Sequence, residues 1–369
     1  MAVPKLRFKE FNGDWEKEYL GNIAIFFNNQ RIPLSETERQ KRQGKFRYYG
    51  ASGVIDYVDD YLFDGEYILI GEDGANILTR STPLAFIVKG QFWVNNHAHI
   101  FQSKDGNNTF LATYLENLNY KRFNSGTAQP KLNLDNLKKV PVANPTQEEQ
   151  TKIAKFITAV DEKISQLNEQ HQLMIQYKKG VMQKIFSQEI RFKDDNGEDF
   201  GEWKEKKLSE IAYITTGSSN REDSHEKNGM YTFFDRSEDI RTSNKYLFDS
   251  EALIIGGEGS IFKPKYFVGK FDLHQRAYAI MEFKNTVAKY LFYFIEFNHL
   301  YFLSVAVGTT VKSLRLPMFE NMPVKLPSVD EQFKIADFLT AIDKRIENLA
   351  RQLEQAKIWK KGLLQQMFV

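Results

Sequence analysis

The residues of this chain that could do chemistry are not arranged for catalysis. Six histidines are scattered through 369 residues and cysteine is absent, which excludes disulfides and thiolate metal sites and gives no reason to expect a histidine metal cluster. Gly44-Lys45 and Gly269-Lys270 are each followed by Phe, so neither is a phosphate-cradling Walker loop. His225-Glu226 has no second histidine at metalloprotease spacing, and Gly257-Glu258-Gly259 meets Phe262 where a dinucleotide fingerprint needs its third glycine. The chain contains no Pro-Pro pair, so the Asn/Asp-Pro-Pro-Tyr/Phe motif of amino-methyltransferases is missing too. What remains is a large set of side-chain hydrogen-bond donors on polar stretches. No metal and no cofactor is expected in this chain.

The elements that would position those donors occur twice. Pro145-Thr-Gln-Glu-Glu-Gln150 opens a helical pattern that runs to Phe186, and Pro327-Ser-Val-Asp-Glu-Gln332 opens the same pattern again. The offset is 182 residues from Gly126/Gly308 through Phe186/Phe368. Arg7-Phe-Lys9 returns as Arg191-Phe-Lys193, and the Tyr61–Ile77 block returns at Tyr246–Ile261. A period this long is a duplicated domain, not a solenoid repeat. Residues 25–60 and 213–245 share almost nothing beyond polarity, so the scaffold repeats while the surface between its fixed points varies.

Apolar runs such as Tyr67–Ile70 and Ala252–Ile255 read as strands, and Gly71-Glu-Asp-Gly74 and Gly256-Gly-Glu-Gly259 as tight turns. The long segments read as helices of about 60 Å. Their apolar seam is Ile153, Ile157, Val160, Ile164, Leu167, Met174 and Val181 in the first, and Ile335, Leu339, Ile342, Ile346, Leu349 and Leu353 in the second. His171, Lys178 and Lys360 interrupt that seam, a common way to set register. Thr146 with Glu149, and Ser328 with Glu331, have the spacing of a capping box. The expected fold is therefore α+β: two tandem α+β domains (1–145 and 191–327) separated by two long helices (146–190 and 328–369). The helices pair as an antiparallel coiled coil with a pseudo-twofold axis.

Net charge is +2, and it divides evenly over those four segments at +2, 0, −1 and +1. No segment carries the basic footprint of a free-standing nucleic-acid binder. The first residues hold no apolar stretch of signal-peptide type, and no run reaches the roughly 18 apolar residues of a membrane span. A cytoplasmic protein is expected, with no membrane partner.

The pattern Gly-Thr, then Pro-x-x-Glu/Asp-Glu-Gln, then a helix closing in Lys-Lys-Gly-x-x-Gln-x-x-Phe stands at Gly126–Phe186 and at Gly308–Phe368. With Arg7–Ala24 it strongly resembles the specificity subunit of type I restriction-modification systems, over the whole chain. The resemblance implies a non-catalytic subunit. Each recognition domain would read one half of a bipartite, asymmetric site on double-stranded DNA. The helices would set the gap and dock two adenine-methyltransferase subunits that bind S-adenosylmethionine. Restriction subunits using ATP and Mg would join the complex. Docking would use outer helix faces, at Gln150, Lys155, Glu162 and Gln166 and at Gln332, Asp337, Lys344 and Asn348. A stand-alone DNA-binding regulator and a purely structural coiled-coil scaffold are the competing readings.

Base reading needs donors presented to groove edges. In the first copy the candidates are Lys41, Arg42, Lys45, Arg47, Tyr48, Tyr49 and Ser52 in the variable stretch. Arg80, Asn95, Asn96, His97, Thr127, Gln129 and Lys131 complete that set. In the second copy they are Ser218, Ser219, Asn220, Arg221, Arg236 and Lys263, then His274, Gln275, Arg276, Thr309, Thr310 and Lys312. For His97 and His274, and for the two Gly-rich turns, a structural role is the competing reading.

Overall fold

In the computed structural model, residues 3–126, 129–224, 228–237 and 239–368 are described. The chain forms two compact units: residues 1–168 with 352–369, and residues 169–351. The long helices run Gln147–Phe186 and Val329–Met367, so each contributes one part to each unit.

Unit 1 contains β1 (Glu16–Tyr19), β2 (Ala24–Phe26), β3 (Gln43–Gly50), β4 (Gly53–Val58), β5 (Phe63–Gly71), β6 (Ala85–Val94), β7 (Ala98–Ser103) and β8 (Pro141–Asn144). Six of these form a sheet in the order β2-β7-β5-β6-β3-β4, while β1 and β8 pair as a separate ribbon. All pairs in the sheet are antiparallel except β3 with β6. Unit 2 contains β9 (Lys204–Lys207), β10 (Tyr213–Thr216), β11 (Tyr231–Phe234), β12 (Arg241–Ser243), β13 (Phe248–Gly256), β14 (Glu258–Gly259), β15 (Lys265–Leu273), β16 (Ala277–Met281), β17 (Lys312–Ser313) and β18 (Pro323–Leu326). Its sheet order, β10-β16-β13-β15-β11-β12, repeats that of unit 1, with β11 and β15 as the one parallel pair.

Strand alternation sorts the apolar side chains of each sheet between two buried faces. Ile68 and Ile70 of β5 point into the core shared with Phe110, Leu111 and Leu115 of the helix Asn108–Glu116. Leu69, between them, faces Phe63, Phe92 and Ile100 on the other side. Leu253 and Ile255 are divided from Ala252 and Ile254 in the same way. Both faces are covered at these central strands, while most of β4 and the start of β3 stay exposed.

The helix seam has two partners. Ile153 and Ile157 belong to the core of unit 1, and Ile335, Leu339 and Ile342 to that of unit 2, because the opening turns of each helix lie on a globular body. Farther along, Val160, Leu167, Leu349 and Leu353 are buried, and Ile164, Met174, Val181 and Ile346 half-buried. Within each unit the early part of one helix meets the late part of the other. In unit 1, Lys360 binds Asp161 at 2.5 Å and Phe156 lies edge-on to Trp359. In unit 2, Lys178 binds Asp343 at 2.8 Å and Glu296 at 2.9 Å. These are the same two duplicated positions, each pair taking its lysine from the helix that supplies the aspartate of the other. Burial pushes the Lys178 ammonium down, but Asp343 and Glu296 more than offset this and hold it above its usual value.

The capping glutamates do something other than capping. The backbone N–H of Glu149 donates to Thr146 Oγ1 and that of Glu331 to Ser328 Oγ, which is half of each capping box. Their carboxylates, 1% and 0% exposed, turn instead to arginines. Arg7 grips Glu149 with two bonds of 2.7 Å, and Arg191 grips Glu331 at 3.1 and 2.6 Å. Trp203 Nε1 also donates to Glu331. The repeated Arg-Phe-Lys and Glu/Asp-Glu-Gln motifs are thus two halves of one contact. Glu149→Ala and Glu331→Ala should each destabilise their own unit by about 1–3 kcal/mol, the cost of losing charged hydrogen bonds where the arginine left behind is still partly exposed. Hydrogen exchange in mild denaturant checks this; protection should fall around β1/β8 for the first variant and around β9/β18 for the second.

Candidate nucleic-acid interface

One end of each sheet gathers four loops. In unit 1 these are the β3–β4 turn, the turn after β5 (Glu72–Gly74), the β6–β7 turn (Asn95–His97) and the hairpin closed by Ser125 and Lys131. Backbone bonds tie them together. Asn95 N–H donates to Tyr49 O, Glu72 N–H to His97 O, Leu132 N–H to Glu72 O and Gly74 N–H to Pro130 O. Unit 2 repeats the arrangement, with His274 N–H to Phe234 O, Gly257 N–H to Arg276 O and Leu314 N–H to Gly257 O. The hairpins are tight because of their glycines. A Cβ on Gly126 would collide with Gln129 O, and Gly308, at φ +110°, with Val311 O. This explains the repeated glycine on geometric grounds.

In unit 1, Ser52, Asn96, His97, Gln129 and Lys131 are exposed on this end, while Thr127 lies outside the described residues. In unit 2, Ser218, Asn220, Arg221, Arg236, Gln275, Arg276, Thr309, Thr310 and Lys312 are exposed there and His274 is half-buried. Lys263 is exposed on the segment leading into β15. Asn220, Arg221, Arg236, His274, Gln275 and Arg276 line one depression of about 460 Å³.

Other candidates are placed elsewhere. Tyr48 is fully buried, with its hydroxyl bonded to the backbone of Leu34, and Tyr49 is buried against Phe92. Asn95 is buried and caps its own turn by accepting from His97 N–H. Ser219 is buried and donates to the buried Asp272 carboxylate at 2.6 Å. None of these four side chains can reach a groove. Arg80 is turned inward onto Glu116. Lys41, Arg42, Lys45 and Arg47 are solvent-facing or partly so, toward the opposite end of β3, where Arg42 is held by Asp59 and lies over Trp93. On the long helices, Gln150 and Gln332 are buried, not outward-facing. Gln150 bonds Asn144 and Pro145, while Gln332 bonds Pro327 and receives Val287 N–H.

The residues missed in the sequence are acidic. Asp73 and Glu258 hold the same place in the two Gly-rich turns, and each grips the third residue of the neighbouring turn. Asp73 binds His97 Nδ1 at 2.8 Å, and Glu258 binds Arg276 at 2.7 Å and also Arg236. Glu72 holds Arg31 and Lys131. A search for donors passes over carboxylates; the signal available was an acid at one aligned position in both copies.

Burial lowers the pKa of two histidines. Burial pushes His274 down, and Arg236 and Arg276 add to this against the pull of Asp235. Arg276 N–H donates to its Nδ1. Burial pushes the Asp235 carboxyl up, but bonds from Ser237 and the charge of Arg221 outweigh it and hold it below the usual range. Burial likewise lowers His99. Its Nε2–H donates to Leu132 O and its Nδ1 accepts from Asn28, a pair of bonds that only the neutral ring can make.

Each of the two similar α+β units presents a loop-built polar end. The chain belongs to the family of type I restriction modification DNA specificity domains, which matches residues 12–176 and 201–357. The chain thus holds two copies of that DNA specificity domain. A Haemophilus influenzae chain described as a type I restriction enzyme specificity subunit, S.HindORF215P, is 37% identical over 142 residues, 38% of this chain and 36% of that one. The Escherichia coli EcoDI specificity subunit is 29% identical over 42% of this chain and 34% of its own length. The present chain thus spans about a third of the length of these two relatives. The S subunit of the type I restriction-modification system from M. genitalium covers 100% of this chain and 99% of its own at a TM-score of 0.68 and 15% identity, a likeness of fold.

Stability should fall on acidification because of His99. Its folded pKa lies below the 6.5 of the free side chain, so below pH 6.5 the unfolded chain takes a proton that the folded one refuses. The stabilisation is therefore complete above that value. It is lost, at up to about 1.4 kcal/mol per pH unit, as pH falls from there toward the folded pKa. Thermal melts from pH 7.5 to 5 should show this slope for the native chain and a flatter one for His99→Asn.

Proposed function

We propose that the two units read the two halves of a bipartite, asymmetric site on double-stranded DNA. The carrying observation is that the same end of the same sheet bears different side chains in the two copies, on turns tied by matching backbone bonds. One scaffold with two sets of donors suits two unlike half-sites. The continuous long helices set the gap between them. The segments 1–145, 146–190, 191–327 and 328–369 are the corresponding recognition domain, spacer, recognition domain and spacer.

Two adenine-methyltransferase subunits dock on this chain and bring the S-adenosylmethionine chemistry. Restriction subunits using ATP and Mg join them. A repeated groove supports two equivalent docking sites. In unit 1 it lies between the loop after β7 and the start of the first long helix, with a volume of about 540 Å³. In unit 2 it lies between the loop after β16 and the start of the second, at about 460 Å³. Gln147, Thr151, Ala154 and Lys155 line the first, and Val329, Phe333, Ala336 and Asp337 hold the matching positions in the second. Lys155 opposite Asp337 in this comparison reverses a charge, so the two grooves differ in detail. Among the described residues no helix is long and apolar enough to cross a membrane, and the proposed setting is the bacterial or archaeal cytoplasm, where the DNA is.

Co-expression with the cognate methyltransferase should give two methyltransferase chains per copy of this one by native mass spectrometry; a chain that stays alone refutes the assembly. Phe333→Asp should lower that ratio to one by spoiling a single groove. Replacing residues 1–145 with those of another family member should change one half of the methylated motif. Long-read methylome sequencing that shows both halves altered, or neither, ends the two-reader proposal.

A further inference from the structure

We infer that the half-site read by unit 2 contains a G·C pair whose guanine is bound by Arg276, with Glu258 as the residue that positions it. This rests on the two-reader proposal above and specifies the chemistry of one reader.

Arg276 stands at the tip of the β15–β16 turn and is 58% exposed. Its Nη1–H donates to Glu258 Oε1 at 2.7 Å, while Arg236, 51% exposed, donates to the other oxygen of the same carboxylate. Glu258 is itself placed by the pairing of β14 with β17, so its carboxylate is aimed from regular backbone. One carboxylate between two guanidinium groups leaves the trio at +1. Glu222 and Asp235 also line the depression and balance Arg221 there, so the site offers ordered donors more than net positive charge.

The geometry leaves a fork. With Nη1 engaged, the Nε–H and Nη2–H of Arg276 lie side by side on the other edge of the guanidinium plane. Among the described residues that edge has no recorded partner. Two parallel donors match guanine O6 and N7 in the major groove, the commonest specific contact between protein and DNA. The surroundings support base reading over simple phosphate attraction. The arginine lines a depression, not an open face, beside Asn220 and Gln275, whose amides bond each other at 2.8 Å.

Unit 1 lacks the fork at this place. The matching residue is His97, whose Nδ1 is taken by Asp73, leaving one ring nitrogen. The position corresponding to Arg236 is Ala51. The two half-sites should therefore differ at the base pair under this turn.

The test is methylome sequencing of cells expressing the full chain with its methyltransferase. Exchange of residues 191–327 identifies the half-site belonging to unit 2. That half should contain a guanine, and Arg276→Ala should relax preference at that one position by roughly tenfold or more. Should the alanine variant prove inactive, Arg276→Gln keeps the test. Glutamine can bond adenine N6 and N7, so the ratio of adenine to guanine at that position must rise. A unit 2 half-site of A·T pairs alone overturns the inference. So does a variant whose motif stays intact, whether methylation is unchanged or falls uniformly as loss of a phosphate contact would require. If the native chain yields no bipartite motif, it is the two-reader proposal that fails.

Discussion

Everything in each unit converges on one buried carboxylate. Glu149 and Glu331 sit three residues into their helices, where the helix dipole favours negative charge. Burial would make them costly without a partner, and an arginine from the first residues of the unit supplies it. Arg7 and Arg191 also bond the carbonyls of Gly13 and Gly201, so the same guanidinium closes the loop leading to Trp15 or Trp203. The contact joins the segment where the chain enters a unit to the helix by which it leaves. Between those two points the sheet folds as a closed excursion, and its strand order can repeat faithfully while its loops change.

That separation lets one scaffold carry two different sets of loop side chains. Backbone bonds among the four loops are the same in kind in both units, because they involve atoms every residue carries. The side chains on those loops are free to differ, within the limit that the third residue of the hairpin turn faces an acid from the neighbouring turn. An exposed cation on a flexible stem would lose much conformational entropy on meeting DNA; a carboxylate that orders it beforehand reduces that loss. The near-balanced net charge is in keeping with these pairs, since several exposed cations on the loops carry their own counter-ion.

Much of the architecture was legible. The two copies, the helix spans and the apolar seam are written in periodicity, because burial selects residue type at fixed spacing. The α+β reading and the antiparallel helix pairing within each unit stand. The candidate interface was legible in part. The turns Asn95–His97 and His274–Arg276 were singled out for their donors and do lie at one sheet end. Residue type alone could not say that Tyr48, Tyr49, Asn95 and Ser219 point inward. On a strand or a tight turn the neighbouring side chain points the other way, and a polar group can be buried when the fold gives it a partner. Gln150 and Gln332 went the same way: their amides satisfy loop carbonyls under the helix start.

The sequence by itself determined that the molecule is two copies of one unit, with a scaffold held at constant spacing and surfaces that diverge. Only the tertiary structure decided what the repeated motifs touch. In unit 2 the backbone N–H of Ile190 donates to Lys184 O across a local bend. In unit 1 the equivalent donor, Leu6, reaches Gln366 O near the far end of the chain. Met367 and Phe368 then pack with Trp15 and Phe110 in the unit 1 core. One bond is local and the other spans nearly the whole chain, yet they are the same contact. Spacing along a chain cannot distinguish a neighbour from a returning end. That choice belongs to the buried surface that the returning helix completes.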